Sequence, residues 1–581
     1  MTRSFLLYLA KLITSAAIEH FKSDMVCVGE NNHQQSDCLT DPEVLSRPSD
    51  EEIVESLLGQ IKRVGDESTQ WHHFHHLFRY AETVKICPPV PSRVLDLGAS
   101  AVYGPVLSQL LGYSIDGVET LAFNYEKESF PFVEAEFDGA LFCEVIEHFT
   151  DDPMFCLIEL NRVIKNHGFL VLTTPNAASW EAIYKALIQR HPSRWPTYPN
   201  GGIGAHCIHA REYLVAEVIA IVEAAGFAIE RIYTCNYQPS TEYKPIGNFP
   251  QEHRGETIFC LARKISRPLK RYVPGIYCED DIQRYKPRSR LHRFVNSMFR
   301  HLSNMQYSGI EWTLKDIWKS RFEAKIRRKK IQKECELVIS QGGHKEKTLR
   351  LLSAELDDIR DDVIRRRQSV NIFRYLETIN LCPSGSAKVL DLGCGNVYAP
   401  VLKQVLGYSV EGVEGLTFNF EADRYPFADS AFDGALLCEV IQQYTDDPMF
   451  SLIELNRVIK DGGFLVVTTP NVASWGAIYR ALNQQHPSQW PCYTTNRPGA
   501  HCIYAREYLV SEVIALFEAA GFLVEKIYTH NWHPGAEYEP IDNFSRQHRG
   551  ETIFCLGRKI SMPKKRFVRG ISGEDTPFYL G

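Results

Sequence analysis

The apolar residues of this chain fall into short runs closed by glycine or proline turns, and these alternate with stretches of helical spacing. In the C-terminal half, Lys388 to Leu392 is an apolar run ending in a glycine turn, which predicts a buried parallel strand. Tyr398 to Leu406 has helical spacing, and Tyr408 to Val413 is a second strand ending in Glu414. Phe432 to Val440 is a third strand, followed by the polar break TDDP. Met449 to Ile459 is helical, with Asp461-Gly462-Gly463 as its stop signal. Phe464 to Thr468 is another strand, closed by Pro470-Asn471. Glu507 to Ala520 is a helix capped by Gly521, and Phe522 to Tyr528 and Glu551 to Arg558 complete the sheet. Strands alternating with helices predict an α/β fold with a mostly parallel, doubly wound sheet. Ligands of such sheets sit beyond the carboxyl ends of the strands, where the strand order switches. The glycine turn after Asp391, Glu414 and the loop after Cys438 are expected to converge there.

The N-terminal half repeats this pattern. A constant offset of 295 residues links Asp96 to Asp391, Glu119 to Glu414, Asp138 to Asp433, Pro175 to Pro470, Arg211 to Arg506 and Arg254 to Arg549. It persists into the tails, where ISRPLKRYVPG matches ISMPKKRFVRG. A period this long is a duplicated domain, not a solenoid repeat. The expected organisation is an extension over 1–50, copy 1 over 51–282, a basic helical connector over 283–345 and copy 2 over 346–581. The connector holds RFEAKIRRKK (321–330), read as a solvated helix and, as the sharper alternative, as a strip for nucleic acid or acidic glycan.

Composition adds limits. A net charge of −7 does not suit a chain built as a whole to hold a polyanion, so nucleic acid is disfavoured as a partner. None of the 16 cysteines lies in a CxxC pair, and Cys143/Cys438, Cys207/Cys502 and Cys260/Cys555 recur in register. They read as small core residues in a reducing, cytoplasmic setting, not as disulfides or a zinc site. No run is long and apolar enough to span a bilayer, and the apolar stretch Phe5 to Ala10 is broken by Lys11 before any clean cleavage site.

VLDLGCG, GVEG, EADRYPFADSAFDGALLCEV and RVIKDGGFLVVTTPN stand in that order in copy 2, with counterparts in copy 1. This series resembles the class I S-adenosylmethionine-dependent methyltransferases over nearly all of both copies. The resemblance implies two Rossmann-like domains in tandem, each with a seven-stranded sheet containing one antiparallel strand. It implies a cofactor site at Asp96, Gly98, Glu119, Glu126 and Cys143 in copy 1, and at Asp391, Gly393, Gly395, Glu414, Glu421 and Cys438 in copy 2. By the family pattern the glycines let the backbone approach the cofactor, Glu119 and Glu414 take the ribose hydroxyls, and Glu126 and Glu421 lie near the adenine. A dinucleotide is the rival cofactor, but its fingerprint needs a third glycine where Tyr398 stands.

The copies diverge in opposite ways. Copy 1 has Gly98-Ala99-Ser100 where copy 2 has the more typical Gly393-Cys394-Gly395. Copy 1 reads CEVIEHF, with Glu144, Glu147 and His148, where copy 2 reads CEVIQQY. E-x-x-E-H resembles the metal-holding motif of small-RNA 3′-terminal 2′-O-methyltransferases and ubiquinone-pathway O-methyltransferases. The former also draw a histidine from a stretch like His206-Cys207-Ile208-His209-Ala210-Arg211-Glu212-Tyr213, whose copy 2 counterpart keeps His501 and has Tyr504 in place of His209. Glu144, Glu147, His148 and His209 are thus a candidate metal set, suited to Mn²⁺, Fe²⁺ or Zn²⁺, and Glu147 and His148 are the candidate catalytic pair. Without metal, His148 is a candidate general base or a plain substrate contact.

Other residues carry less. His72, His73, His75 and His76 in WHHFHHLF have no counterpart in copy 2 and read as a polar helix over the substrate mouth. HPSRWP and HPSQWP, with His191/His486 and Trp195/Trp490, read as a lid inserted after the fifth strand. Arg254 and Arg549 read as residues that tie their loop down. The expected reaction is methyl transfer to oxygen, with a sugar, glycan or small metabolite as acceptor. The alternatives are an RNA acceptor, or one or both copies acting as cofactor-binding scaffolds. Two equal copies on one chain are also able to pack on each other.

Overall fold

The computed structural model describes residues 47–571 apart from 278–328, six positions between 330 and 342, the stretches 99–100, 119–123, 194–197, 199–208, 237–242, 394–396, 414–417, 494–503 and 532–537, and residues 274, 567, 569 and 570. Most of the N-terminal extension and of the connector, RFEAKIRR included, lies outside the described residues.

Copy 1 runs α1 Asp50–Ile61, α2 Glu67–His75, α3 Leu77–Ile86, β1 Arg93–Asp96, α4 Tyr103–Leu111, β2 Ser114–Gly117, β3 Phe137–Cys143, α5 Pro153–Val163, β4 Ile164–Pro175, α6 Trp180–Leu187, α7 Val215–Ala224, β5 Phe227–Cys235 and β6 Thr257–Lys264. Copy 2 repeats the order as α8 His344–Asp357, α9 Asp362–Ser369, α10 Ile372–Leu381, β7 Lys388–Asp391, α11 Tyr398–Leu406, β8 Ser409–Gly412, β9 Phe432–Cys438, α12 Pro448–Val458, β10 Ile459–Pro470, α13 Trp475–Leu482, α14 Val510–Ala519, β11 Phe522–His530 and β12 Thr552–Lys559. Local signals set the boundaries. Ser49 and Glu52 form a reciprocal capping box at α1. Asp152 caps α5 through the Phe155 N–H with Pro153 in the first turn, and Asp447, Phe450 and Pro448 do the same for α12.

Each sheet has six strands, in the order β2-β1-β3-β4-β6-β5 and its copy β8-β7-β9-β10-β12-β11. β6 runs antiparallel to both β4 and β5, so the single antiparallel strand is where the resemblance implied it. The expected seventh strand is missing among the described residues. Between Gly117 and Phe137 the described chain forms turns, held down by Glu126 on the backbone of 150–152 and by the Phe130 N–H on Glu159. Asp461-Gly462-Gly463 is not a helix cap: α12 already ends at Val458, and the three residues lie in β10, where the pairing with β9 shifts register between Ile459 and Phe464.

The two copies pack on each other. The core cluster holding Leu95 and Phe142 of copy 1 continues without a break to Leu390 and Leu437 of copy 2. A second seam joins α6 to α13 through Trp180, Ile183 and Leu187 against Trp475, Ile478 and Leu482. Arg254 lies over Trp180 and donates from Nη1 to the Ala178 and Ala481 carbonyls (2.9 and 2.8 Å) and from Nη2 to Leu482 (2.5 Å). Arg549 mirrors it over Trp475, donating to Ala473, Ala186 and Leu187. Each arginine therefore places a cation at the carboxyl end of the other copy's helix, where the exposed carbonyls carry negative charge. These residues tie down the opposite copy, beyond their own loop. No helix among the described residues is long and apolar enough to cross a membrane.

Candidate active site

β1 lies between β2 and β3, so its end at Asp96 pairs with Gly117 on one side and Leu141 on the other. Asp96 is buried, and its Oδ1 accepts from the Gly98 N–H at 3.0 Å; Asp391 does so from Gly393 at 2.9 Å and also from the Tyr398 hydroxyl at 3.0 Å. A Cβ on Gly98 would sit 2.6 Å from the Cys143 carbonyl oxygen, and one on Gly393 would sit 2.6 Å from that of Cys438. The glycines are required by the loop after β3 or β9 as well as by the ligand the resemblance implied. This brings Asp96, Gly98 and Cys143 together at one sheet edge, and Asp391, Gly393 and Cys438 at the other. The fit to S-adenosylmethionine is that of a tight glycine turn closed onto the next loop at the switch in strand order. Glu119, Glu414 and Gly395 lie outside the described residues.

Glu126, expected near the adenine, is held by backbone donors. Its carboxylate accepts from the backbone N–H of Thr150, Asp151 and Asp152 at 3.2, 2.8 and 2.6 Å, ahead of α5. Glu421 repeats this with Thr445, Asp446 and Asp447 at 3.1, 2.9 and 2.7 Å. Burial outweighs these donors and pushes each carboxyl up to about 7. Cys143 and Cys438 are buried free thiols pushed up by burial, which makes them inert.

The turn after β3 carries the remaining candidates. Glu144 has φ of 55°, as Glu439 has φ of 57°, a left-handed conformation that costs a residue with a Cβ about 1 kcal/mol. The Glu144 N–H donates to the Thr173 carbonyl at 2.9 Å, which holds the corner. Its side chain accepts from Thr173 Oγ1 at 3.0 Å and pairs with Arg79 of α3 at 3.2 Å. Glu144 is thus turned toward Arg79, and the structure brings together three of the four metal candidates. Ligand atoms of Glu147, His148 and His209 lie within 4.8 Å of one another. Glu147 is fully buried, with Oε2 accepting from Thr174 Oγ1 at 2.9 Å and Oε1 lacking a hydrogen-bond partner. Burial, with the Glu144 carboxylate nearby, pushes the Glu147 carboxyl well above the usual range. The His148 and His209 rings meet edge to face at 5.0 Å. His209 Nδ1 bonds the Glu212 carboxylate at 3.1 Å, which leaves Nε2 for a ligand. An orphaned buried carboxyl oxygen beside two imidazoles, one oriented by a carboxylate, is a donor set that fits a divalent metal.

The corresponding corner of copy 2 is closed by its own side chains. Arg374 pairs with Glu439 at 2.8 Å, and the Tyr504 hydroxyl donates to Glu439 at 3.5 Å. Gln442 is fully buried, donating to Glu439 and accepting from Thr469 Oγ1, both at 3.4 Å. Arg79 and Arg374 were missed in the sequence, although the matched FRYAET and FRYLET carry them in register.

The other candidates spread out. His73 Nδ1 bonds the Tyr80 hydroxyl at 2.9 Å, and His76 Nδ1 accepts from Arg79 at 3.1 Å, so this part of the histidine run backs the arginine that holds Glu144. His191 and His486 are interface residues: Nε2 of each reaches a carbonyl of the opposite copy, Glu507 at 3.0 Å and Glu212 at 2.9 Å. The insertion read as a lid is therefore at least partly an interdomain strap. Trp195, His206 and His501 lie outside the described residues, and Trp490 is half-exposed.

The methyltransferase-domain family matches this chain twice, at residues 108–172 and 390–467. No curated protein matches it. Among solved structures, a SAM-dependent methyltransferase from Thermotoga maritima is 22% identical over 33% of this chain and 91% of its own, with a TM-score of 0.23. Methyltransferases from Aquifex aeolicus (17% identity, 36% and 98% covered, TM-score 0.22) and Methanosarcina mazei (16%, 31% and 95%, 0.22) are also similar. With a glycine turn at the switch point of each sheet and a methyltransferase-domain match in each half, the chain carries two methyltransferase-like domains in tandem.

Proposed function

We propose that copy 1 transfers the methyl group of S-adenosylmethionine to a hydroxyl of a sugar, glycan or small metabolite, and that copy 2 is a cofactor-binding partner without this chemistry. The observation that carries the reading is the Glu147–His148–His209 cluster, present at one corner and replaced by Gln442, Gln443 and Tyr504 at the other. These three residues would hold Mn²⁺, Fe²⁺ or Zn²⁺, which when bound lowers the pKa of a hydroxyl in contact with it. Arg79 keeps Glu144 turned aside, and Glu147 is fully buried beside two partly buried imidazoles. As the acceptor oxygen attacks the methyl carbon, the carbon–sulfur bond breaks and S-adenosylhomocysteine leaves. The acceptor's proton passes to solvent when the imidazoles hold the ion, and to His148 when they do not. Alignment of oxygen, carbon and sulfur supplies most of the acceleration.

The test is transfer of labelled methyl from S-adenosylmethionine to a panel of glycans, polyols and phenols, with and without Mn²⁺. Transfer that is lost in His148→Ala and kept in Tyr504→Phe is the expected result. Equal loss in both variants, or label only on nitrogen acceptors, overturns the reading.

A further inference from the structure

The corner that holds Glu147, His148 and His209 is built from copy 1 side chains, yet the chain segments that carry them are fastened by copy 2. Three contacts do this, all from the segment between α13 and α14. The Tyr493 hydroxyl donates to the Phe149 carbonyl at 3.0 Å, at the residue after His148. The Pro491 carbonyl accepts from Arg211 Nε at 2.6 Å, and the Arg211 backbone N–H in turn donates to the Glu147 carbonyl at 3.0 Å. His486 Nε2 donates to the Glu212 carbonyl at 2.9 Å, and Glu212 is the residue whose carboxylate orients His209. Ser488 donates its N–H to His486 Nδ1 at 3.2 Å, which fixes the tautomer with the proton on Nε2. Tyr493 is fully buried and seated against Tyr213, hydroxyl to hydroxyl at 3.1 Å, with Arg211 over both rings. Two of the three contacts recur with the copies exchanged. The Tyr198 hydroxyl reaches the Tyr444 carbonyl at 3.2 Å and His191 reaches the Glu507 carbonyl at 3.0 Å. There, however, they brace a corner that has neither histidine nor the second carboxylate.

We propose that His486 and Tyr493 of copy 2 are positioning residues for the metal corner of copy 1, so that copy 2 acts as an activating subunit fused in cis. The inference rests on the metal-holding reading of that corner. Three ligands drawn from two loops bind an ion well only if the loops are held in register, because a displacement near 1 Å loosens such a site. The strained corner at Glu144 directly follows Cys143, with only Val145 before the helical turn Ile146–His148, and the His209 segment has no helix of its own until Val215. The braces from the other copy supply the rigidity those segments lack. This gives a physical reason for a diverged second copy to stay joined to the first.

The experiment uses the full-length protein and Co²⁺, whose visible absorption reports the number and geometry of its ligands. The unsubstituted chain is expected to take up one Co²⁺. His486→Ala and Tyr493→Phe each weaken that uptake tenfold or more and blur the spectrum. His486→Gln, whose amide N–H can replace Nε2–H, restores most of the affinity. The mirror variants His191→Ala and Tyr198→Phe disturb the same interface and leave Co²⁺ affinity within twofold. S-adenosylhomocysteine titration of every variant shows that the folded sites persist. Unchanged Co²⁺ binding in His486→Ala and Tyr493→Phe overturns the bracing, and equal losses in the mirror variants overturn it in favour of general interface damage. Absence of Co²⁺ uptake by the unsubstituted chain overturns the metal reading itself, and this inference with it.

Discussion

The turn after β3 in copy 1 and the turn after β9 in copy 2 share one backbone and differ in what fills it. Both place a left-handed glutamate at the corner, Glu144 or Glu439, and both pair it with an arginine from the helix before the first strand of the sheet, α3 or α10. In copy 2, Gln442 and Tyr504 then donate to Glu439, and the Gln442 carbonyl accepts from Thr469. In copy 1, Glu147 brings a second buried carboxyl with one oxygen unpaired, next to two imidazoles. An unpaired buried polar atom costs roughly 1–3 kcal/mol. Copy 2 also leaves one buried carboxyl oxygen, Glu439 Oε1, without a partner, so what sets copy 1 apart among the described residues is the second carboxyl gathered with two imidazoles.

The largest expected effects break the asymmetry in chemistry. His209→Ala lowers methyl transfer by about 10²–10⁴-fold, the range of a lost acid–base or ligand group, while Tyr504→Phe changes it less than about threefold. The triple exchange Gln442→Glu, Gln443→His and Tyr504→His is expected to raise Co²⁺ uptake from one ion to two, since Glu507 already stands where Glu212 orients His209. An unchanged stoichiometry would show that the backbone of copy 2 has drifted along with its side chains. The interface is expected to behave in the opposite, symmetric way. Arg254→Ala and Arg549→Ala each strip a buried cation from helix-end carbonyls of the other copy, and each costs roughly 2–4 kcal/mol in urea unfolding. A large inequality between the two would mean that one half dominates the packing.

The fold was legible because its signals are local. Short apolar runs with glycine and proline stops gave the strands, and the fixed offset gave the duplication. The absence of a seventh strand among the described residues was not legible, because only packing shows that Glu126 and Phe130 pin the described residues ahead of Phe137 into turns. Asp461-Gly462-Gly463 looked like a helix stop because glycine punctuates both helix ends and strand irregularities. At the site, the divergence of Glu147, His148 and His209 was visible as three coordinated differences. The turning of Glu144 toward Arg79 was not, since it depends on a left-handed corner that no residue type announces. The roles of His191, His486, Arg254 and Arg549 were hidden for a different reason: each partner lies more than 200 positions away, in the other copy.

A smaller effect tests what the copies share. Glu126 and Glu421 are both pushed to about 7 by burial, above an ordinary value of 4.5. A carboxyl that holds its proton more tightly when folded contributes stability that is complete below pH 4.5 and is lost as pH rises through about 7. The loss amounts to at most about 3 kcal/mol per carboxyl. Urea midpoints are therefore expected to fall between about pH 4.5 and 7, and Glu126→Gln with Glu421→Gln to flatten that slope. A slope that survives the double substitution assigns it to other groups.

The smallest effect is the most specific to the comparison. Glu147→Gln puts the copy 2 residue into the copy 1 corner, as an amide of nearly the same shape. The amide oxygen can keep the Thr174 bond, and its nitrogen gains two donors facing Glu144, as Gln442 faces Glu439. The carboxyl it replaces is pushed well above the usual range by burial and by that same Glu144 charge. Removing the unmet oxygen is expected to stabilise the protein by about 1 kcal/mol while Co²⁺ uptake and methyl transfer are lost together. Gln442→Glu is expected to do the reverse to stability in copy 2 without creating activity, because the two imidazoles are still missing there. If Glu147→Gln instead destabilises the chain, the unpaired oxygen is satisfied in solution, and the contrast between the corners lies in their histidines alone.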